Sequence, residues 1–353
     1  MKVYILDRDI NIIGIISTYE TIIWTEKLHE PGTFKATFIF TEKMNRKLQR
    51  KNLLYKTDEK QPGIITRKYL KLNKYGEQTI VVQGYMASRY LNQRIIWEKM
   101  IMKGTPEQLM RKMVEEQVIN PKVAERKMPL IELGKFHDFD MEQIEKQITY
   151  DNLQEALTEL AKVSELGYKL RLDYERKKFV FDIYQGTDRT QETDKPCIFS
   201  RKYRNVYTQE YREDDSNYRN VCMVGGPGED DQRIRTVVGD AAGLDRYEFF
   251  YNASRHSEKD VTQSELINQL QQKGMEKMAG YYIAKAFESK INKGKAMYFE
   301  LGDYVTCKDP EWNVTVDTQI KEIEKGLSKT EESYVVTFGD NVPTLIDLIK
   351  AKE

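Results

Sequence analysis

The chain has 353 residues and carries 56 Lys and Arg against 56 Asp and Glu, a formal net charge of zero. Proteins that grip nucleic acid through its phosphates carry a basic surplus, and no window here is strongly basic without acidic neighbours, so nucleic-acid binding is not expected. The length suggests roughly two to three domains, no run nears the ~20 apolar residues that cross a bilayer, and Met1–Arg8 meets charge before a signal-peptide core could form, which points to assembly in a cytoplasm without membrane insertion.

Residues 1–102 are expected to form a β domain. Val3–Leu6 and Ile12–Ile16 flank the polar turn Asp7-Arg8-Asp9, a hairpin signal. Phe34, Ala36, Phe38 and Phe40 fall on one face of a strand whose other face carries Lys35 and Thr37. Ile64–Leu72 and Gln78–Gln83 read as a second hairpin across Asn73-Lys74-Tyr75-Gly76, with Gly76 as the positive-φ position. Several strands at short spacing suggest a barrel or sandwich.

Residues 103–200 change to an α/β pattern. Thr105-Pro106 is an N-cap and N1 pair, because proline lacks an N–H that would be unpaired there. Leu109, Met113, Val114 and Val118 then recur at helical spacing until Asn120-Pro121. A second helix is expected from Asp151, with Gln154 as capping-box partner and Gly167 just past its end. Leu153, Leu157 and Leu160 form its inner stripe, and Tyr168–Tyr174 and Phe179–Tyr184 read as a hairpin over Glu175-Arg176-Lys177.

Residues 201–353 return to strands, interrupted by a long helix over about 260–290 that opens at Thr262 with Glu265. Leu270, Gly274, Met278, Tyr282 and Ala286 give it a stripe, and unbroken it would reach about 40 Å. Gly274 and Gly280 are the places where it could kink or make a close contact. Further on, Val314, Val316, Thr318 and Ile320 alternate with polar residues, and Tyr334–Phe338 supply a partner strand after the polar break Gly326–Glu332.

No constellation carries chemistry. His29, His137 and His256 lack metal-ligand spacing, and the cluster His137-Asp138-Phe139-Asp140 reads as a surface loop. Gly225-Gly226-Pro227-Gly228 reads as a turn: Pro227 removes an N–H donor, and Glu229-Asp230-Asp231 would repel a phosphate. Glu213-Asp214-Asp215 lacks EF-hand spacing, and Cys197, Cys222 and Cys307 form no CxxC pair and read as buried thiols. No catalytic, cofactor-binding or metal-binding residue is assigned, and neither an enzyme nor a cofactor is expected.

Three stretches carry a family resemblance: Tyr19–Trp24 running through Glu30-Pro31-Gly32 into Phe34–Phe40, Arg204–Tyr207 with Asn220–Glu229, and Leu301–Lys350. In this order they resemble the phage tail hub or tail-associated proteins of long-tailed phages and phage-derived contractile particles. The resemblance implies an α+β, predominantly β fold with two tail-tube-like β-barrel domains and mixed α/β insertions. No internal repeat of about 20–50 residues supports the two barrels independently. It further implies a structural baseplate or tail-tip hub, a homotrimer that joins the hexameric tail tube to a trimeric spike or tip complex as a symmetry adaptor. Tube protein, spike or tip proteins and the tape measure would be its partners, in a virion or tail-like particle. Two other classes stay open: a tail-tip peptidoglycan hydrolase, and a host-surface carbohydrate- or receptor-binding module. Digestion of purified peptidoglycan and a glycan-binding assay separate them, and Lys350–Glu353, close behind the last stretch, is expected to leave no room for an appended enzymatic domain.

Overall fold

The Asp7 carboxylate accepts the backbone N–H groups of Asp9 (2.9 Å) and Asn11 (2.8 Å), an Asx turn that closes the hairpin of strands β1 (Val3–Leu6) and β2 (Ile12–Ile16). The computed structural model describes residues 2–229, 232–254, 262–278, 280, 281, 283–291 and 298–339. They fall into two units, Met1–Glu210 with Phe287–Gly339, and Tyr211–Ala286.

In the first unit, β3 (Thr21–Lys27), β4 (Thr33–Ile39), the short helix α1 (Glu42–Lys47), β5 (Leu53–Lys56), β6 (Gly63–Leu72) and β7 (Gln78–Met86) follow the opening hairpin. Alternation sets one face of these strands inward. Ile22, Trp24, Phe34, Ala36, Phe38 and Val82 are buried in a common core.

The α/β portion follows as β8 (Met100–Gly104), α2 (Pro106–Val114), β9 (Ile131–Leu133), β10 (Ile144–Ile148), α3 (Leu153–Ser164), β11 (Gly167–Asp173) and β12 (Lys178–Tyr184). Thr105 and Gln108 cap α2 reciprocally, and a π-helical turn, Glu115–Ile119, carries it to Asn120. The start and end of α3 differ from expectation. Asn152 is the N-cap, its side chain accepting from Gln154 and Glu155, while the Asp151 carbonyl is engaged by the Ile96 N–H. Glu165, at φ 55°, is the left-handed residue past the helix. Gly167 instead opens β11, where a Cβ would come within 2.3 Å of the Tyr184 ring. Leu109, Met113, Leu157, Leu160, Leu170 and Phe181 fill the core between these helices and strands.

The chain continues through β13 (Asp188–Arg189), β14 (Ile198–Phe199) and β15 (Val206–Asp214) into the second unit. There β16 (Val221–Gly225) lies between β17 (Arg235–Val238), antiparallel to it, and β18 (Glu248–Asn252), parallel to it. Helix α4 (Gln263–Met278) covers this sheet, burying Leu266 and Leu270 against Cys222 and Val224, with Met278 half-buried beside them.

The stripe over about 260–290 is therefore not one helix. α4 spans about 24 Å rather than about 40 Å, and β19 (Ala284–Ile291) follows it. The Gly280 N–H bonds the Lys277 carbonyl and the Tyr281 N–H bonds the Met278 carbonyl, tight closures that end the helix. Beyond them Phe287, Ser289 and Ile291 are buried and Glu288 is exposed, the period of a strand. His256 and Tyr282 lie outside the described residues.

The chain closes with β20 (Tyr304–Asp309), β21 (Val314–Ser328) and β22 (Glu332–Gly339). Among the described residues the main sheet is an open path in the order β15-β19-β22-β21-β3-β4-β7-β6-β5-β1-β2, with β20 on β21 and β13 and β14 on β20. The fold is α+β and mostly β.

Candidate assembly interface

β21 changes partners along its length. Val314–Gln319 pair with β20; after an irregularity between Ile320 and Glu322, the rest pairs with β22 on one side and β3 on the other. The strands from the two ends of the chain thereby share one sheet. At this joint the Lys325 ammonium lies 2.9 Å from Glu59 and 3.4 Å from Glu26, and Lys56 lies 3.0 Å from Glu59. The Glu59 and Lys56 side chains are only 2% and 3% exposed. Burial pushes the Glu59 carboxyl up and the Glu26 charge adds to it, while Lys325 and Lys56 offset part of the rise. Burial alone would lower Lys325; Glu26 and Glu59 outweigh it and hold the ammonium above the ordinary lysine value.

The face opposite the apolar core is mixed, with Ile23 and Val81 set among hydroxyl and charged side chains. Register aligns Gly326, Ile23, Lys35, Gln83 and Arg67 in one cross-strand row, and Ser328, Thr21, Thr37, Val81 and Tyr69 in another. Two open grooves of about 420 and about 270 Å³ run over these rows and share Ile23 and Lys35. Open grooves spread over a broad, shallow area suit a macromolecular face better than a small ligand, which binds in an enclosed concave pocket.

The β6–β7 hairpin extends from this sheet, with Gly76 at φ 84° in its turn. β5 pairs with β6 only through Leu53 and Leu54, opposite Ile64 and Gly63. Arg67–Leu72 therefore has β7 on one side and, among the described residues, no strand on the other. Leu70 is 58% exposed, Leu72 67% and Tyr75 77%. An open strand edge bearing large exposed apolar side chains is a ready template for another chain.

The histidines, cysteines and acidic runs are dispersed. His29 sits in the β3–β4 turn, where burial, helped by Lys321 and Lys162, pushes its pKa down to about 3; its Nε2 has no hydrogen-bond partner. His137 lies in the loop between β9 and β10, stacked on Phe139 with ring centroids 5.1 Å apart. The backbone N–H of His137 donates to the buried Glu107 at 2.8 Å. Cys197, Cys222 and Cys307 are buried free thiols, and burial pushes Cys197 up to about 12, so it stays protonated at neutral pH. The Gly225–Gly228 stretch turns between β16 and β17, and the Arg233 guanidinium donates to the Gly225 and Gly226 carbonyls at 3.0 Å each. Glu213 lies 3.5 Å from Lys285, and Asp230 and Asp231 fall outside the described residues. Among the described residues no group of three or more His, Cys, Asp or Glu could hold a metal ion. Two features escape sequence reasoning: the Lys325–Glu59 joint, whose members are 266 positions apart, and the bare edge of β6.

A large open sheet whose mixed face and strand edges are its main features, flanked by an α/β portion, is the fold of phage tail proteins. It is shared with the 43 kDa tail protein of prophage MuSo2 from Shewanella oneidensis at TM-score 0.59 and 14% identity, over 96% of this chain and 98% of that one. A tail protein from Neisseria meningitidis MC58 aligns at TM-score 0.56 and 11% identity, over 96% of both chains. Prophage tail protein gp18 from Listeria monocytogenes EGD-e aligns at TM-score 0.56 and 12% identity, over 100% of this chain and 99% of that one. At such identities the likeness is one of fold. The Siphovirus ReqiPepy6 Gp37-like protein family matches residues 2–340, and the chain belongs to that family of siphovirus tail proteins. None of the curated proteins compared with it matches.

Proposed function

We propose that the protein is the hub subunit of a tail tip or baseplate, a non-enzymatic homotrimer that adapts a hexameric tube to a trimeric spike or tip complex. The observation that carries this reading is the β3–β21 pairing. It sets two β-rich halves side by side, one built on Trp24, Phe34 and Phe38, the other on Val336 and Phe338. Each half is read as a tail-tube-like barrel unit: residues 1–102 form the first, residues 103–200 an α/β domain, and strands within 201–353 the second. Three copies would then offer six similar halves to the tube and threefold symmetry to the tip. The likeness in fold to tail proteins over nearly the whole length supports the same reading. Its partners would be the tube protein, the spike or tip proteins and the tape measure, in a particle assembled in the host cytoplasm. Deleting the gene tests it: particles should lack a proper tip or fail to form tails. Normal infectious particles without the protein would overturn the role.

A further inference from the structure

We propose that the bare edge of β6 is the joint between copies: Arg67–Leu72 of one protomer pairs with the acidic segment Asp138–Glu142 of the next. This rests on the homo-oligomer reading above and assigns the surfaces that make it.

The two segments are complementary in charge. From Arg67 to Gln78 the hairpin carries Arg67, Lys68, Lys71 and Lys74 against the single carboxylate Glu77, and from Asp138 to Gln143 the other segment carries Asp138, Asp140 and Glu142 with no cation. They are complementary in spacing as well. Arg67, Tyr69 and Lys71 alternate along β6 and so share a face. Asp138, Asp140 and Glu142 are also at every second position and all exposed, while Phe139 and Met141 between them turn inward and pack against the core. Asp140 and Glu142 thus present outward carboxylates against which Arg67 and Lys71 can be set, and Asp138, at φ 56°, stands where the backbone turns before them.

Neither segment is committed to another strand among the described residues. The backbone of Arg67–Leu72 is paired with β7 alone, and of its side chains Lys68 reaches back to the Asn45 carbonyl at 2.5 Å. The acidic segment has no helix or strand of its own and leads into β10, which pairs with β8 only. Covering the β6 edge would also shield Leu70 and Leu72, whose exposure would otherwise invite indiscriminate association. Donor and acceptor are different patches of the same chain, so the joint repeats head to tail and closes where the rotation permits a ring.

Charge reversal tests the joint, because every substituted side chain is exposed and folding can be checked by circular dichroism. Lys71→Glu and Glu142→Lys, each alone, should weaken association seen by light scattering about tenfold or more, and the two together should restore it. A Tyr69→Cys, Asp140→Cys protein should form disulfides between protomers on oxidation, since the native thiols are buried. Single reversals that associate like the unsubstituted chain, without cross-protomer disulfides, would reject this joint while leaving the trimer standing. An unsubstituted chain that stays monomeric at every concentration would reject both.

Discussion

The Lys325 ammonium meets both oxygens of the Glu59 carboxylate, at 2.9 and 3.0 Å, across 266 positions of chain. The contact fastens the closing strand β21 to the segment after β5, where the sheet from one end of the chain is joined to the sheet from the other.

Lys325→Met should destabilise the first unit by about 2 kcal/mol. Breaking a buried pair outright costs about 3–5 kcal/mol, but Lys56 remains 3.0 Å from Glu59 and keeps that carboxylate partly compensated. Adding Glu59→Gln should recover part of the loss, since the pair is coupled. Urea unfolding measures both, and an unchanged midpoint in Lys325→Met would mean that the charges at the joint contribute nothing.

His29 should impose a pH dependence. Its folded pKa, about 3, lies below the ordinary 6.5, so the folded protein keeps it neutral while the unfolded chain takes a proton below about pH 6.5. The stability it contributes is present above that pH and is lost as pH falls toward 3, by up to about 1.4 kcal/mol per unit. Between pH 7 and pH 5, His29→Gln should therefore lose about 2 kcal/mol less than the unsubstituted chain. Parallel stability–pH curves for the two would show that His29 is not held neutral.

Gly274 marks where α4 rests on its sheet, for a Cβ there would lie 2.7 Å from Val224 Cγ2 and 2.9 Å from Val238 Cγ2. Alanine gains about 1 kcal/mol of helix propensity over glycine, but the overpacking should exceed it and leave a net loss of about 1 kcal/mol. Met275→Asp, on the exposed face of the same helix, should change little. If Gly274→Ala raised the melting temperature of the second unit, the helix would have to stand farther from the sheet than it does here.

What was legible in the sequence is what local chemistry decides. The hairpins at Asp7 and Asn73, the Thr105 N-cap with Pro106 behind it and the alternation of Val314–Ile320 all follow from residues within one turn or strand of each other. The error at α4 is of the same local kind. Met278 and Ala286 continue a helical stripe, but Gly280 ends the helix, and Phe287, Ser289 and Ile291 already carry the competing strand period. The misplaced cap at Asp151 has a tertiary cause, because its carbonyl is held by Ile96 from a distant segment. The interface was illegible for that reason too. Whether Trp24 pairs with Lys325, or whether Arg67–Leu72 lacks a second strand neighbour among the described residues, depends on register between strands that no local pattern encodes.

A reconstruction of the intact tail tip decides whether the protein is a hub on the tube axis. Three copies should encircle the axis at the tube's end, with the continuous sheet through β3 and β21 facing the last hexameric ring and the β6 edge of each copy against its neighbour. Density placing the protein off the axis, or in a number other than three, would contradict the account.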